Sequence, residues 1–210
     1  MRKSILFICM ALLTFSCEKN PDYEKLDADL VVYTDYDKTS DFSEFKTFYL
    51  PDSILEVNGG HKVEYWKDEN AQKLIQEVNE EMKDRGYVRI SNSADKSKAD
   101  LGIQMSYIAK TNIVISGGYG FWDYGYWGPW WGGWFYPYTV GYSYNTNTLM
   151  IEIVDLTQKD ASKEGKGNKL PVIWHSHSSG YQYNNMYNNQ YLMRAIQQAF
   201  AQSPYIKSEK

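Results

Sequence analysis

Two stretches of this chain repeat apolar residues every three or four places, and several others alternate apolar with polar. From Asp68 onward, Ala71, Leu74, Ile75, Val78 and Met82 form one stripe with charges opposite, and Gly86 follows Arg85, which predicts an amphipathic helix with a glycine stop. A second stripe, Leu192, Ala195, Ile196 and Ala199, predicts a terminal helix over 191–200. Period two runs through 100–111, with Leu101, Ile103, Met105, Tyr107 and Ala109 on one side and Gly102, Gln104, Ser106, Ile108 and Lys110 on the other. It returns at 148–156 through Leu149, Ile151 and Ile153, and a further strand is expected at 170–178 beyond the polar loop 158–169. Shorter strands are expected at 30–36, 45–50 and 87–90, with turns at 37–41 and 92–98; the first two strands should be neighbours. The order predicts an α+β two-layer sandwich, with a mostly antiparallel sheet and two helices on one face, over residues 30–206.

The N-terminus follows another rule. Arg2 and Lys3 precede an apolar run from Ile5 to Leu13, then Thr14-Phe15-Ser16-Cys17, after which polarity returns. That layout is a secretory leader, far shorter than the roughly 20 residues that cross a bilayer. The block resembles a lipobox, with Leu13 one place early and Thr14 where an aliphatic residue is usual. It implies cleavage after residue 16, lipidation of Cys17 with a diacylglycerol and a palmitate-type acyl chain, and a polar tether over 17–29. The twelve residues after Cys17 reach about 40 Å when extended. Glu18 is not the aspartate that favours inner-membrane retention, so the expected address is the outer membrane, in either leaflet.

Loss of the leader moves the net charge from -4 to -6, which argues against nucleic acid as a partner. Cys9 leaves with it and Cys17 is consumed by lipid, so disulfides, cysteine–zinc sites and thiol nucleophiles are not expected.

Segment 117–144 departs from every period. Half of it is aromatic and it holds five of the chain's seven tryptophans, on a glycine-rich background. Glycine contributes no packing and costs backbone entropy, so a long loop separable from the fold is expected. Its rings, Trp122, Trp127, Trp130, Trp131, Trp134 and Tyr136, are the candidate binding residues. Three uses stand open: stacking on an envelope glycan, contact with a protein or membrane surface, or packing on one another.

No catalytic constellation emerges. Gly118-Tyr119-Gly120 lacks the third glycine and the helix of a dinucleotide loop, and no spacing pairs carboxylates for glycoside hydrolysis. His175 and His177 share a strand face as a metal pair would, but surface histidines are the favoured reading. Asp35, Asp37, Asp41 and Glu44 read as turn formers rather than a calcium loop. No cofactor, metal or catalytic residue is expected, and a binding or structural role is favoured over a glycan-processing enzyme.

An ordered set of motifs remains: the lipobox, Tyr36-Asp37, Asp41-Phe42-Ser43-Glu44-Phe45-Lys46-Thr47-Phe48, Lys83-Asp84-Arg85-Gly86-Tyr87, Ala99-Asp100-Leu101, the aromatic segment, Leu149-Met150-Ile151-Glu152-Ile153-Val154-Asp155 and Val172-Ile173-Trp174. Together they resemble the Bacteroidetes-like bacterial lipoproteins of the domain of unknown function 4136 family. The resemblance implies a two-layer α/β envelope domain and carries over no catalytic residues. The loop 158–169 is longer than that pattern expects, which bears on the register of the hairpin around it.

Overall fold

The computed structural model describes residues 30–57, 64–108, 113–116, 127, 133–144, 147–158, 169–179 and 185–209. Its centre is three long antiparallel neighbours: β6 (Leu101–Ile108), β10 (Thr148–Asp155) and β11 (Leu170–Ser179). On one edge β1 (Val31–Tyr36) pairs antiparallel with β11. On the other, β2 (Thr47–Tyr49) and β3 (Ile54–Val57) each pair parallel with β6, β2 at its start and β3 at its end. Pro51, which cannot donate to a ladder, falls between them. Edge strands β4 (Glu64–Trp66) on β3, β5 (Val88–Arg89) on β2 and β8 (Trp134–Phe135) on β11 complete a nine-stranded sheet among the described residues. A separate pair joins β7 (Ile113–Ser116) to β9 (Gly141–Tyr144).

Helix α1 (Glu69–Asp84) starts where Asp68 accepts from the backbone N–H of Asn70 and Ala71, both at 2.9 Å. It stops at Gly86, φ 93°, where Gly86 N–H bonds the Lys83 carbonyl and Tyr87 N–H the Met82 carbonyl. That is the Schellman pairing expected of a glycine stop. Helix α2 (Asn185–Ala201) begins six residues before the expected start, because Asn185, Asn188, Asn189 and Gln190 interrupt the apolar stripe there. Both helices bury their stripes on one face of the sheet, against Leu101, Ile103, Met105, Leu149, Ile151 and Ile153.

The first two strands are not neighbours, contrary to the expectation; β11, β10 and β6 lie between them. Phe42 and Phe45 are buried in the helix-side core, which draws the connection across that face instead of closing it as a hairpin. Asp37 and Asp41 form turns along it: each carboxylate accepts from the N–H and hydroxyl two residues on.

Between β10 and β11 the register shifts: Ile153 faces Trp174, but Val154 faces Val172. Ile173 is therefore an extra residue, and it lets Ile173 and Trp174 both enter the helix-side core while Val172 packs on the other side. The bulge inverts the phase of β11. His175 and His177 consequently point away from the helices.

Candidate functional site

The sheet face opposite the helices carries polar side chains in a line. In register across β1, β11, β10 and β6 stand Asp35, His175, Glu152 and Gln104, and beside that row Tyr33, His177, Met150 and Ser106. Alternation along each strand assigns these residues to one face, and the pairing brings them together. Gln104, Glu152 and His175 are fully buried. Fully burying a carboxylate and an imidazole is costly without hydrogen bonds, so what covers them matters.

The cover is the aromatic segment. Trp127, Trp134, Tyr136 and Val140 pack with Tyr49, Val154, Leu156, Leu170 and Val172 in a second core. Trp127 donates its indole N–H to Gln104 Oε1 at 3.0 Å, and Gln104 Nε2 donates to Ser106 Oγ at 3.2 Å. The Tyr136 hydroxyl donates to Glu152 Oε1 at 2.5 Å. The Tyr138 hydroxyl and His175 Nδ1 lie 3.0 Å apart, with the donor set by the tautomer. Trp127, Tyr136 and Tyr138 thus each meet one polar group of the row.

The rings also stack. Tyr138 lies parallel to His175 with centroids 5.8 Å apart, the two imidazoles are parallel at 6.1 Å, and Tyr33 stacks on His177 at 5.2 Å. Burial, and then the neighbouring His177, hold the His175 pKa down to about 3; burial holds His177 down to about 4. Both imidazoles are therefore neutral at pH 7. Burial, reinforced by the Asp35 and Glu152 carboxylates, pushes the Tyr138 phenol up and keeps its proton on.

The reading of surface histidines is corrected here: His175 has no exposure, because the aromatic segment lies over it. The loop is likewise not separable from the fold, since its Trp127, Trp134, Tyr136 and Val140 form the second core. Of the candidate binding rings, Trp127 and Trp134 meet edge to face at 5.4 Å and, with Tyr136, are buried; they present no face to a ligand. Trp122, Trp130 and Trp131 lie outside the described residues. Sequence reasoning missed Gln104, Glu152 and Tyr138. The available signal was a polar residue at the same strand face in β6, β10 and β11, legible only once the register is known. Chemically, any molecule reaching this row must first displace the cover, and the row serves as a hydrogen-bonded brace between sheet and segment.

The model of the family "Domain of unknown function (DUF4136)" matches residues 32–205. The chain belongs to this family. A DUF4136 family protein of Bacteroides thetaiotaomicron has a solved structure similar to this one, with 37% identity, a TM-score of 0.67, and 86% of this chain and 99% of that chain covered. Residues of the motifs in this chain have roles in the fold: Gly86 stops α1, Trp174 donates to Ser203 Oγ at 2.9 Å, and Glu152 accepts from Tyr136. More distant likenesses are a PelC dodecamer from Paraburkholderia phytofirmans (12% identity, TM-score 0.37, 81% of this chain and 96% of that one) and a PDZ domain protein from Parabacteroides distasonis (18%, 0.40, 85% and 37%). No curated protein matches the chain.

Proposed function

We propose that this DUF4136 chain is a non-enzymatic, lipid-anchored domain of the bacterial outer membrane whose aromatic segment contacts another envelope component. The observation that carries the contact is how the segment is rooted. Trp127 on one side and Trp134, Tyr136 and Val140 on the other are buried against the sheet, the first and third through hydrogen bonds to Gln104 and Glu152. Trp130 and Trp131 are each three residues in sequence from an anchored tryptophan. A fixed base lowers the ordering cost of presenting rings to a partner. The address rests on the leader, Cys17 and the polar tether. Among the described residues no helix is long and apolar enough to cross a membrane.

Two measurements test the two halves separately. In cells fed labelled palmitate, the full chain should carry label in the outer-membrane fraction and lose it with Cys17→Ser; an unlabelled parent chain would refute the anchor. Replacing Trp122, Trp130 and Trp131 by alanine together should leave the urea midpoint near the parent's while abolishing crosslinks to envelope components. Retained crosslinks would refute the contact. Titration with peptidoglycan fragments and a polysaccharide panel, followed by tryptophan fluorescence, distinguishes a glycan from a protein partner.

A further inference from the structure

A second feature lies at the other edge of the sheet, where it shares the Tyr49 wall with the aromatic cover: Tyr49 meets Trp127 edge to face at 5.8 Å. Between β2, β4, β5 and the 3-10 turn Ser93–Lys98 opens a cavity of about 490 Å³, within the range of small-molecule sites. Three cations line it, Lys67, Arg89 and Lys96, against one carboxylate, Asp52. A local charge of that sign is out of character for a chain whose net charge is -4.

Two of them, Arg89 and Lys67, differ from the cations along α1 and in the 3-10 turn. On α1 and in the 3-10 turn, Lys73, Lys83, Arg85 and Lys98 each pair with an acid three or four residues away. Arg89 and Lys67 form no ion pair among the described residues. Arg89 makes one hydrogen bond there, from Nη2 to the Leu50 carbonyl at 2.8 Å, which fixes the guanidinium while leaving most of its five donors uncommitted. Its Nε–H is buried without an acceptor. Lys67 lies over the Tyr65 ring with Nζ 5.6 Å from the centroid, a contact that holds the ammonium at the cavity wall without neutralising it. Burial lowers the pKa of Arg89 and of Lys96, so both charges are held in a partly dehydrated place. Ser91 and Ser93 add hydroxyls to the same lining.

A half-buried guanidinium short of acceptors, two further ammonium groups and hydroxyl donors form a receptor for an oxyanion, since the planar fork matches carboxylate and phosphate oxygens. We propose that this cavity binds a small ligand through a phosphate or carboxylate group, seated on Arg89 and flanked by Lys67 and Lys96. No residue of the aromatic segment lines the cavity, which meets it only through Tyr49, and its occupancy does not depend on the function proposed above.

The test uses the full-length chain in detergent, titrated with inorganic phosphate or with succinate, against sodium chloride at matched ionic strength. Phosphate binding is read by ³¹P line broadening, and succinate by calorimetry. A saturable response to one of them, absent in chloride, is expected, and whichever responds identifies the oxyanion. Arg89→Gln should weaken it about tenfold or more, as for loss of a charged, bidentate partner. Because Arg89 also bonds Leu50, the exposed Lys67→Met serves as the second variant, expected to weaken binding severalfold with the urea midpoint unchanged. No saturable response from folded protein to either anion, or affinity unaltered in both variants, overturns the proposal.

Discussion

Gly102 is where the sheet and its aromatic cover come closest. A Cβ there would stand 2.8 Å from Trp127 Cη2, 3.0 Å from its Cζ3 and 3.2 Å from Leu156 Cδ2. Trp127 has little freedom to retreat, because its indole N–H is bonded to Gln104 two residues along the same strand. Glycine normally weakens a strand, so its presence in the middle of a regular alternation is explained by this approach. Gly102→Ala should cost about 1–3 kcal/mol, as overpacking does. Trp127→Phe removes the two ring atoms nearest the added methyl group. In a double-mutant cycle read by urea denaturation, the alanine should therefore cost less in the Trp127→Phe background than in the parent chain. Strict additivity would show that the tryptophan is not what excludes the methyl group.

At the scale of elements, β2 and β6 run parallel, and Asp100 fixes where that pairing starts. Its Oδ2 accepts from Lys46 N–H, Thr47 N–H and the Thr47 hydroxyl, each at 2.9 Å, while Asp100 N–H returns a bond to Thr47 Oγ at 3.0 Å. Asp100→Ala strands two backbone donors at the edge of the core and should lower stability by about 2 kcal/mol. Asp100→Asn, which keeps an acceptor oxygen, should fall between; an alanine variant as stable as the parent would refute the role. This clasp joins two motifs far apart in sequence, and nothing in either announces the other. Elements long enough to show several periods, α1, β6 and β10, were legible in the chain. β3 and β4, with four and three residues, offer too few positions for a period to register. Alternation told which side chains of β6 share a face, yet it could not tell that Gln104 would be sealed rather than wet. The seal comes from a segment whose glycine and aromatic composition has no period at all. The phase of β11 was hidden for a related reason: the bulge at Ile173 reverses which residues face the helices, and a bulge leaves no mark on apolar spacing.

For the whole molecule, two layers press on one sheet, and a neutral histidine pair sits beneath one of them. Facing the pair are Tyr33 and Asp35 from β1, Glu152 from β10, and Tyr136 and Tyr138 from the cover. Unfolding returns each imidazole to a pKa near 6.5, from about 3 for His175 and about 4 for His177. Between those values and 6.5 the unfolded chain binds more protons than the folded one, so stability rises with pH across that window. It is full above about pH 6.5 and declines as pH falls toward the folded values. By pH 5 the linkage amounts to roughly 2 kcal/mol for His175 and somewhat less for the partly exposed His177. Urea midpoints at pH 7, 6 and 5 should therefore fall steadily in the parent chain. His175→Gln with His177→Gln should flatten the slope. If the double variant keeps the parent's slope, the proton uptake belongs to other groups and the pair is not as dry as its packing requires. If the slope flattens, the protons that destabilise the fold are those the two imidazoles take up once the cover has opened, since both stay neutral in the folded chain.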